Sequence, residues 1–161
     1  MTPDLQHPQI RSVVAVLEAA GATGELRILP DGVRTAAAAA EALGCEVGAI
    51  ANSLIFDADG EPVLILTSGS HRVDTAYVAN ECGLPALRKA SPDFVRTHTG
   101  QAIGGVAPVG HPKQLRTLVD RWLADHDVVW AAAGHSHSVF ATSYDELLKL
   151  TGGAPVDVAT A

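Results

Sequence analysis

Asn52 and Ser53 are two polar residues inside an apolar run, Ile50-Ala51-Asn52-Ser53-Leu54-Ile55-Phe56. Such a run reads as a buried strand. Side chains alternate along a strand, so one of the pair is expected to face a pocket. Asparagine offers a donor and an acceptor, which suits a ribose hydroxyl or an ester carbonyl. Gly104 and Gly105 lie in Ile103-Gly104-Gly105-Val106-Ala107-Pro108-Val109-Gly110-His111. Adjacent glycines bring bare backbone N–H groups up to a ligand. Aimed at a bound carbonyl, those donors would polarise it. Read alone, the pair also fits an ordinary structural turn.

Gly134-His135-Ser136-His137-Ser138 separates two apolar segments. One of its histidines could orient or deprotonate a water or hydroxyl. His-x-His is also a metal-ligand spacing, but no Cys pair, His-Glu-x-x-His or carboxylate cluster accompanies it. The expectation is no metal and no cofactor, with a metal-dependent hydrolase as the weakest alternative. No Gly-x-Ser-x-Gly nucleophile elbow is present. Ser68, between Thr67 and Gly69, could face a pocket or bond its own turn. Cys45 and Cys82 have neither Cys-x-x-Cys nor zinc spacing and read as reduced structural thiols.

The 161 residues are 47% hydrophobic and 18% charged, a globular composition that fits a single domain over residues 1–161. No apolar run is long enough to span a bilayer, and the first residues lack signal-peptide character. A soluble cytoplasmic protein without a membrane partner is expected. The net charge of −7 argues against a general nucleic-acid or DNA binder. Residues 72–121 nevertheless hold seven basic against four acidic side chains, and the Gly-Gly segment lies among them. That local balance could receive a phosphate-bearing ligand.

Positioning elements follow from periodicity and punctuation. Residues 8–20 read as a helix, with Pro8 in its first turn and Gly21 ending it. Residues 25–29 alternate as a strand. Thr35 caps an alanine-rich helix over 36–43, stopped by Gly44. Strands at 50–56 and 62–67 form a hairpin across Asp57-Ala58-Asp59-Gly60-Glu61. Asp74 caps a helix to about residue 82, a short strand covers 86–89, and Ser91-Pro92 opens a helix to about 97. Strands are expected at 114–119, 128–133, 138–142 and 156–158, and Ser143 caps a helix over 144–150. Hairpins mixed with helices predict an α+β domain with a mixed, largely antiparallel sheet.

Five ordered segments carry a family resemblance: Thr35 with its alanine-rich helix, Gly48 through Phe56, Pro62-Val63-Leu64-Ile65-Leu66-Thr67-Ser68-Gly69, Ile103 through His111, and Val129-Trp130-Ala131-Ala132-Ala133-Gly134 followed by His137-Ser138-Val139-Phe140. Together they resemble the YbaK/aminoacyl-tRNA editing family from about Thr35 to Val158. The resemblance implies a trans-acting deacylase that removes a small, wrongly attached amino acid from a tRNA acceptor end. It implies that the protein supplies position and polarity while a ribose hydroxyl or water attacks. On that reading Asn52 orients the ester or ribose, Gly104 and Gly105 donate N–H groups, and His137 positions the attacking hydroxyl. Thr35, Ser53, Thr67, Ser68, Gly69, Val106 and Gly134 are the expected substrate-binding residues.

Asn52 is a departure, because most members carry lysine there. Losing one charge-assisted hydrogen bond costs roughly 1.5–3 kcal/mol. Three outcomes stay open. Asn52 binds the ribose or ester itself, Arg34 or Arg72 supplies a cation, or catalysis is lost and the chain binds a charged tRNA end or an amino-acid-like ligand. Residues 1–30 lie outside the best-matching stretch and form either a lid or a packed element. The oligomeric state is not legible.

Overall fold

The computed structural model describes residues 7–30, 32–33 and 35–159. Its first helix, α1 (Pro8–Ala19), begins as expected on a first-turn proline. β1 (Leu26–Ile28) leads to α2 (Ala36–Leu43), where Thr35 Oγ1 accepts from the Ala38 N–H at 3.0 Å and Gly44 closes the helix at φ 72°. β2 (Ile50–Ala58) and β3 (Glu61–Ser68) form the hairpin. The strands run further than expected and leave a two-residue turn, Asp59-Gly60, both at positive φ (54° and 92°). Asp-Gly at such a turn matches the twist of the flanking strands.

α3 (Thr75–Cys82), β4 (Leu87–Lys89) and α4 (Pro92–Thr99) follow, with Asp74 and Ser91 capping the two helices. After the glycine-rich segment come β5 (Arg116–Asp120), β6 (Val129–Ala132) and β7 (Ser138–Thr142). α5 (Tyr144–Thr151) and β8 (Ala154–Val156) complete the order. The last strand lies two residues earlier than its sequence reading. The strand expected from 114 starts at Arg116, and the Gln114 side chain donates to the Thr151 carbonyl at 2.7 Å.

The sheet runs β1-β7-β6-β2-β3-β5-β8, with β4 pairing β2. It is mixed, as expected. The hairpin pairs and β1–β7 and β2–β4 are antiparallel, while β2–β6, β3–β5 and β5–β8 are parallel. One face buries Leu64, Leu66 and Phe140 with Val13 and Leu17 of α1 and Leu147 of α5. On the other face, α3 covers Val63 and Ile65. Ala39 and Ala40 of α2 cover Ile50 and Trp130 on the same side. Small alanines let α2 approach these strands closely. Residues 8–19 are thus a packed element, with Ile10 and Val13 fully buried.

The sheet has one gap, and it lies along β2. On its outer side, β2 pairs with β6 only at Ile50 and Ala51, and with β4 only at Phe56 to Ala58. Residues 52–55 therefore have no strand partner on that side among the described residues. The sheet forks there.

Candidate active site

A cleft of about 880 Å³ opens at this fork. Its floor is the sheet face under α2, formed by Ile50 and Leu54 of β2, Trp130 and Ala132 of β6, and Val139 of β7. The start of α2 makes one wall, and the loops around 103–106 and 135–138 make the other. Asn52 and Ser53 both line it. Both line it because the cleft opens along an unpaired strand edge, and the Ser53 hydroxyl itself is buried.

The two loops are built as one unit. A Cβ on Gly105 would lie 2.5 Å from the Ser136 nitrogen, so only glycine lets these backbones meet. Gly134 N–H donates to the Gly105 carbonyl at 3.1 Å. Gly134 does not line the cleft. It turns at φ 106° against α1, where a Cβ would meet Gln9 O at 2.8 Å and Val13 Cγ2 at 2.9 Å. Gly104 does line the cleft. The Gly105 N–H is already spent on the Ala102 carbonyl at 3.2 Å, so its expected role as a second donor is corrected. The amides of Gly104 and Val106 make no hydrogen bond to another described residue. Val106 also lines the cleft while anchoring in a small cluster with Ala90 and Val95.

His137 sits at φ 70°, a strained angle for a non-glycine residue. Its carbonyl is pinned by the Leu29 N–H at 2.6 Å. Its Nε2 is buried with no hydrogen-bond partner, and so is the Ser53 hydroxyl. Two unpartnered polar atoms in one cleft are unusual, since such groups normally find partners. His135, raised only as one of a possible pair, also lines the cleft. Its Nδ1 donates to the Ser136 carbonyl at 2.8 Å. The His7 ring packs against it, tilted by 59° with centroids 4.4 Å apart, a contact the sequence did not suggest.

Thr35 lines the cleft as the α2 cap. Thr67, Ser68 and Gly69 do not line it, and that expectation is corrected. The backbone N–H of Ser68 and the Thr67 hydroxyl turn to the fully buried Asp120 carboxylate, at 2.9 and 3.4 Å. The His71 imidazole and the Trp122 backbone N–H complete that carboxylate's partners, at 2.8 and 3.0 Å. Asp120 is the residue that sequence reasoning missed. Its demand for donors outcompetes the cleft for this turn. Gly69 packs behind the wall, where a Cβ would lie 2.5 Å from Val47 O and 2.9 Å from Ala36 Cβ.

No carboxylate and no lysine or arginine lines the cleft among the described residues. Arg72 lies on the exposed connection after β3, away from it. Arg34 lies outside the described residues. Among the described residues, no three histidine, cysteine or acidic side chains gather as a metal site.

Beyond the cleft, His111 anchors the glycine-rich segment. Its Nε2 donates to the Ala107 carbonyl at 2.8 Å, and burial pushes the imidazole below its ordinary value of 6.5. The unfolded chain therefore takes up a proton there before the folded chain does. This stability contribution is complete above about pH 6.5 and is lost as pH falls below it. Melting temperature is expected to fall on acidification, by about 2–4 °C per kcal/mol lost at this chain length. His111→Gln keeps an N–H for Ala107 and should flatten that part of the dependence. Melting curves from pH 7.5 to 5.5 check it, and parallel curves for the two proteins would refute it.

The similarities agree with this geometry. The aminoacyl-tRNA editing domain family model matches residues 30–150. A crystal structure described as a candidate trans-editing enzyme for prolyl tRNA synthetase superposes with TM-score 0.89 at 41% identity, covering 96% of this chain and 98% of that one. The uncharacterized protein YwhH of Bacillus subtilis is 33% identical over 114 residues, 70% of this chain and 72% of that protein. The proline–tRNA ligase of Levilactobacillus brevis is 29% identical over 99 residues, 62% of this chain but only 17% of the ligase. The fork in the sheet, the bare Gly104 amide and the acid-free cleft thus sit in a fold shared across most of the chain's length, and the chain belongs to the aminoacyl-tRNA editing domain family.

Proposed function

We propose that this chain is a trans-acting deacylase that hydrolyses the ester joining a small, wrongly attached amino acid to a tRNA 3′ end. The observation that carries the reading is the convergence of Asn52, Ser53, Gly104 and His137 on one cleft without a side-chain nucleophile. The likeness to proline–tRNA ligases and to the trans-editing structure supports a mischarged tRNA as substrate. On this reading the protein works in the cytoplasm, where tRNAs are charged and edited. Among the described residues no helix is long and apolar enough to cross a membrane.

In the proposed step, water attacks the ester carbonyl, and the neighbouring ribose hydroxyl passes the water's proton towards the leaving ribose oxygen. The Gly104 N–H, with the Val106 N–H beside it, steadies the charge that develops on the carbonyl oxygen. Asn52 holds the ribose or the ester by its amide. The unpartnered His137 Nε2 and Ser53 hydroxyl orient the attacking group. The acyl–oxygen bond breaks, the ribose oxygen takes a proton, and the amino acid leaves free. Discrimination by pocket size then completes a selection that synthesis alone leaves unfinished.

A panel of mischarged tRNAs tests the proposal. Release of free amino acid from at least one small-residue charge is expected. No cleavage above buffer by folded protein would reject it. Retained binding of the charged tRNA end would then favour a binding module, the reading that the neutral Asn52 supports.

Ser53→Ala gives a sharper check on the site. A buried hydroxyl without a partner costs about 1–3 kcal/mol. Its removal is expected to raise the melting temperature while lowering the deacylation rate several-fold. Loss of stability, or no change in rate, would show that the hydroxyl serves the fold and not the substrate.

A further inference from the structure

Arg27 stands beside the cleft, and the strand register shows which way it points. It pairs with Val139 across β1–β7, and Val139 pairs with Ala132 across β7–β6. Directly opposed residues share a sheet face, as do residues two apart on one strand. Arg27 is therefore on the face that carries Val139, Ala132 and Trp130, which is the cleft floor. The side chain reaches inward across β7, and its guanidinium carbon lies 5.0 Å from the centre of the Trp130 ring. Glu25 accepts from Nε at 2.8 Å and fixes one edge of the guanidinium. The terminal Nη groups make no hydrogen bond to another described residue.

We infer that Arg27, held over the Trp130 ring, forms a phosphate-binding subsite for the phosphodiester of the terminal nucleotide. The inference rests on the deacylase reading and names how that site holds the nucleic-acid part of its substrate. Three observations support it. The protein carries a net charge of −7, yet the cleft lining holds no carboxylate among its described residues. Arg27 is the arginine that the register aims at the floor. An arginine held over an aromatic ring and tethered through Nε keeps its terminal Nη groups free to donate, and a guanidinium takes phosphate oxygens in pairs. The subsite also answers the loss of lysine at position 52. The cation has moved from the ester to the phosphate on the same nucleotide, so charge holds the substrate while neutral groups face the reacting carbonyl.

The test compares mischarged tRNA with 3′-aminoacyl adenosine, the same ester on a nucleoside that has no phosphate. Arg27→Gln is expected to raise KM for the tRNA by roughly ten-fold and leave kcat unchanged. It should leave kcat/KM for the nucleoside ester at the parent value. The slope of log KM against log salt is expected to fall by about 0.7, one phosphate of a single strand. Arg27→Lys keeps the charge and should recover most of the KM. If Arg27→Gln fails to fold, Arg27→Met takes its place, since its apolar stem still covers Trp130. Equal losses on the two esters, a lysine variant as impaired as the glutamine one, or no loss at all would overturn the subsite. If the parent hydrolyses neither ester, the deacylase reading falls by itself. The subsite is then judged by titrating a 5′-phosphorylated CCA trinucleotide against parent and Arg27→Gln. Weaker binding by the variant supports it, and equal binding overturns it.

Discussion

Gly105→Ala is expected to abolish most activity while leaving a folded but weakened protein. The added Cβ would meet backbone atoms of residues 135 and 136, with the Ser136 nitrogen at 2.5 Å. Backbone cannot swing aside as a flexible side chain can, so the two loops must separate. Overpacking of this kind costs about 1–3 kcal/mol. The effect on chemistry should be larger. Gly105 also accepts the Gly134 N–H, so a shift is carried to the turn that presents His135 and His137. A misplacement of about 1 Å can cost on the order of a hundred-fold in rate. Deacylation assayed well below the variant's melting temperature separates the two effects. A stable variant with parental rates would show that loop spacing does not set the reacting geometry.

Asn52→Lys is expected to raise the deacylation rate ten- to hundred-fold, roughly the worth of one charge-assisted hydrogen bond of about 1.5–3 kcal/mol. Position 52 lines the cleft beside an open strand edge, so an added side chain has room to turn toward the substrate. No carboxylate lines the cleft among its described residues to hold the new ammonium elsewhere. A gain in kcat would show that the parent works without a contact that most family members have. A gain from an inactive parent would mark the parent as a binding protein. An unchanged or slower enzyme would show that this cleft has settled on a neutral residue at the ester, with charge supplied elsewhere. Measuring Asn52→Lys in the Arg27→Gln background shows whether the two cations act on one substrate or compete for it.

How much of the fold and the site was legible in the chain depended on the range of the interaction. The caps Thr35, Asp74, Ser91 and Ser143 act on backbone N–H groups three residues away, and all four hold in the structure. The β2–β3 hairpin is equally local. Asn52, Gly104 and Val106 were drawn from two short segments, and the fold brings both to one cleft. The misplaced residues share a different cause. Thr67 faces Asn52 across the hairpin and Ser68 faces Ala51, and the family resemblance put both in the pocket. Their actual partner, Asp120, is 52 residues away from Ser68. Gly105 looked like a donor because glycine exposes its amide, but a local turn to Ala102 had already claimed it.

Local composition by itself determined the caps, the hairpin, the helical and extended segments, and the two stretches that bear the site. Each depends on hydrogen bonds or side-chain periodicity over a few residues, which the order of amino acids states directly. Only the tertiary structure decided that β6 and β4 diverge along β2, so that Asn52 and Ser53 both line the cleft. It also decided that α1 backs the histidine turn and that Arg27 lies on Trp130. Those outcomes depend on strand order and crossover connections between distant segments. Such pairings are selected by burial of the whole core, and no single segment carries their signal.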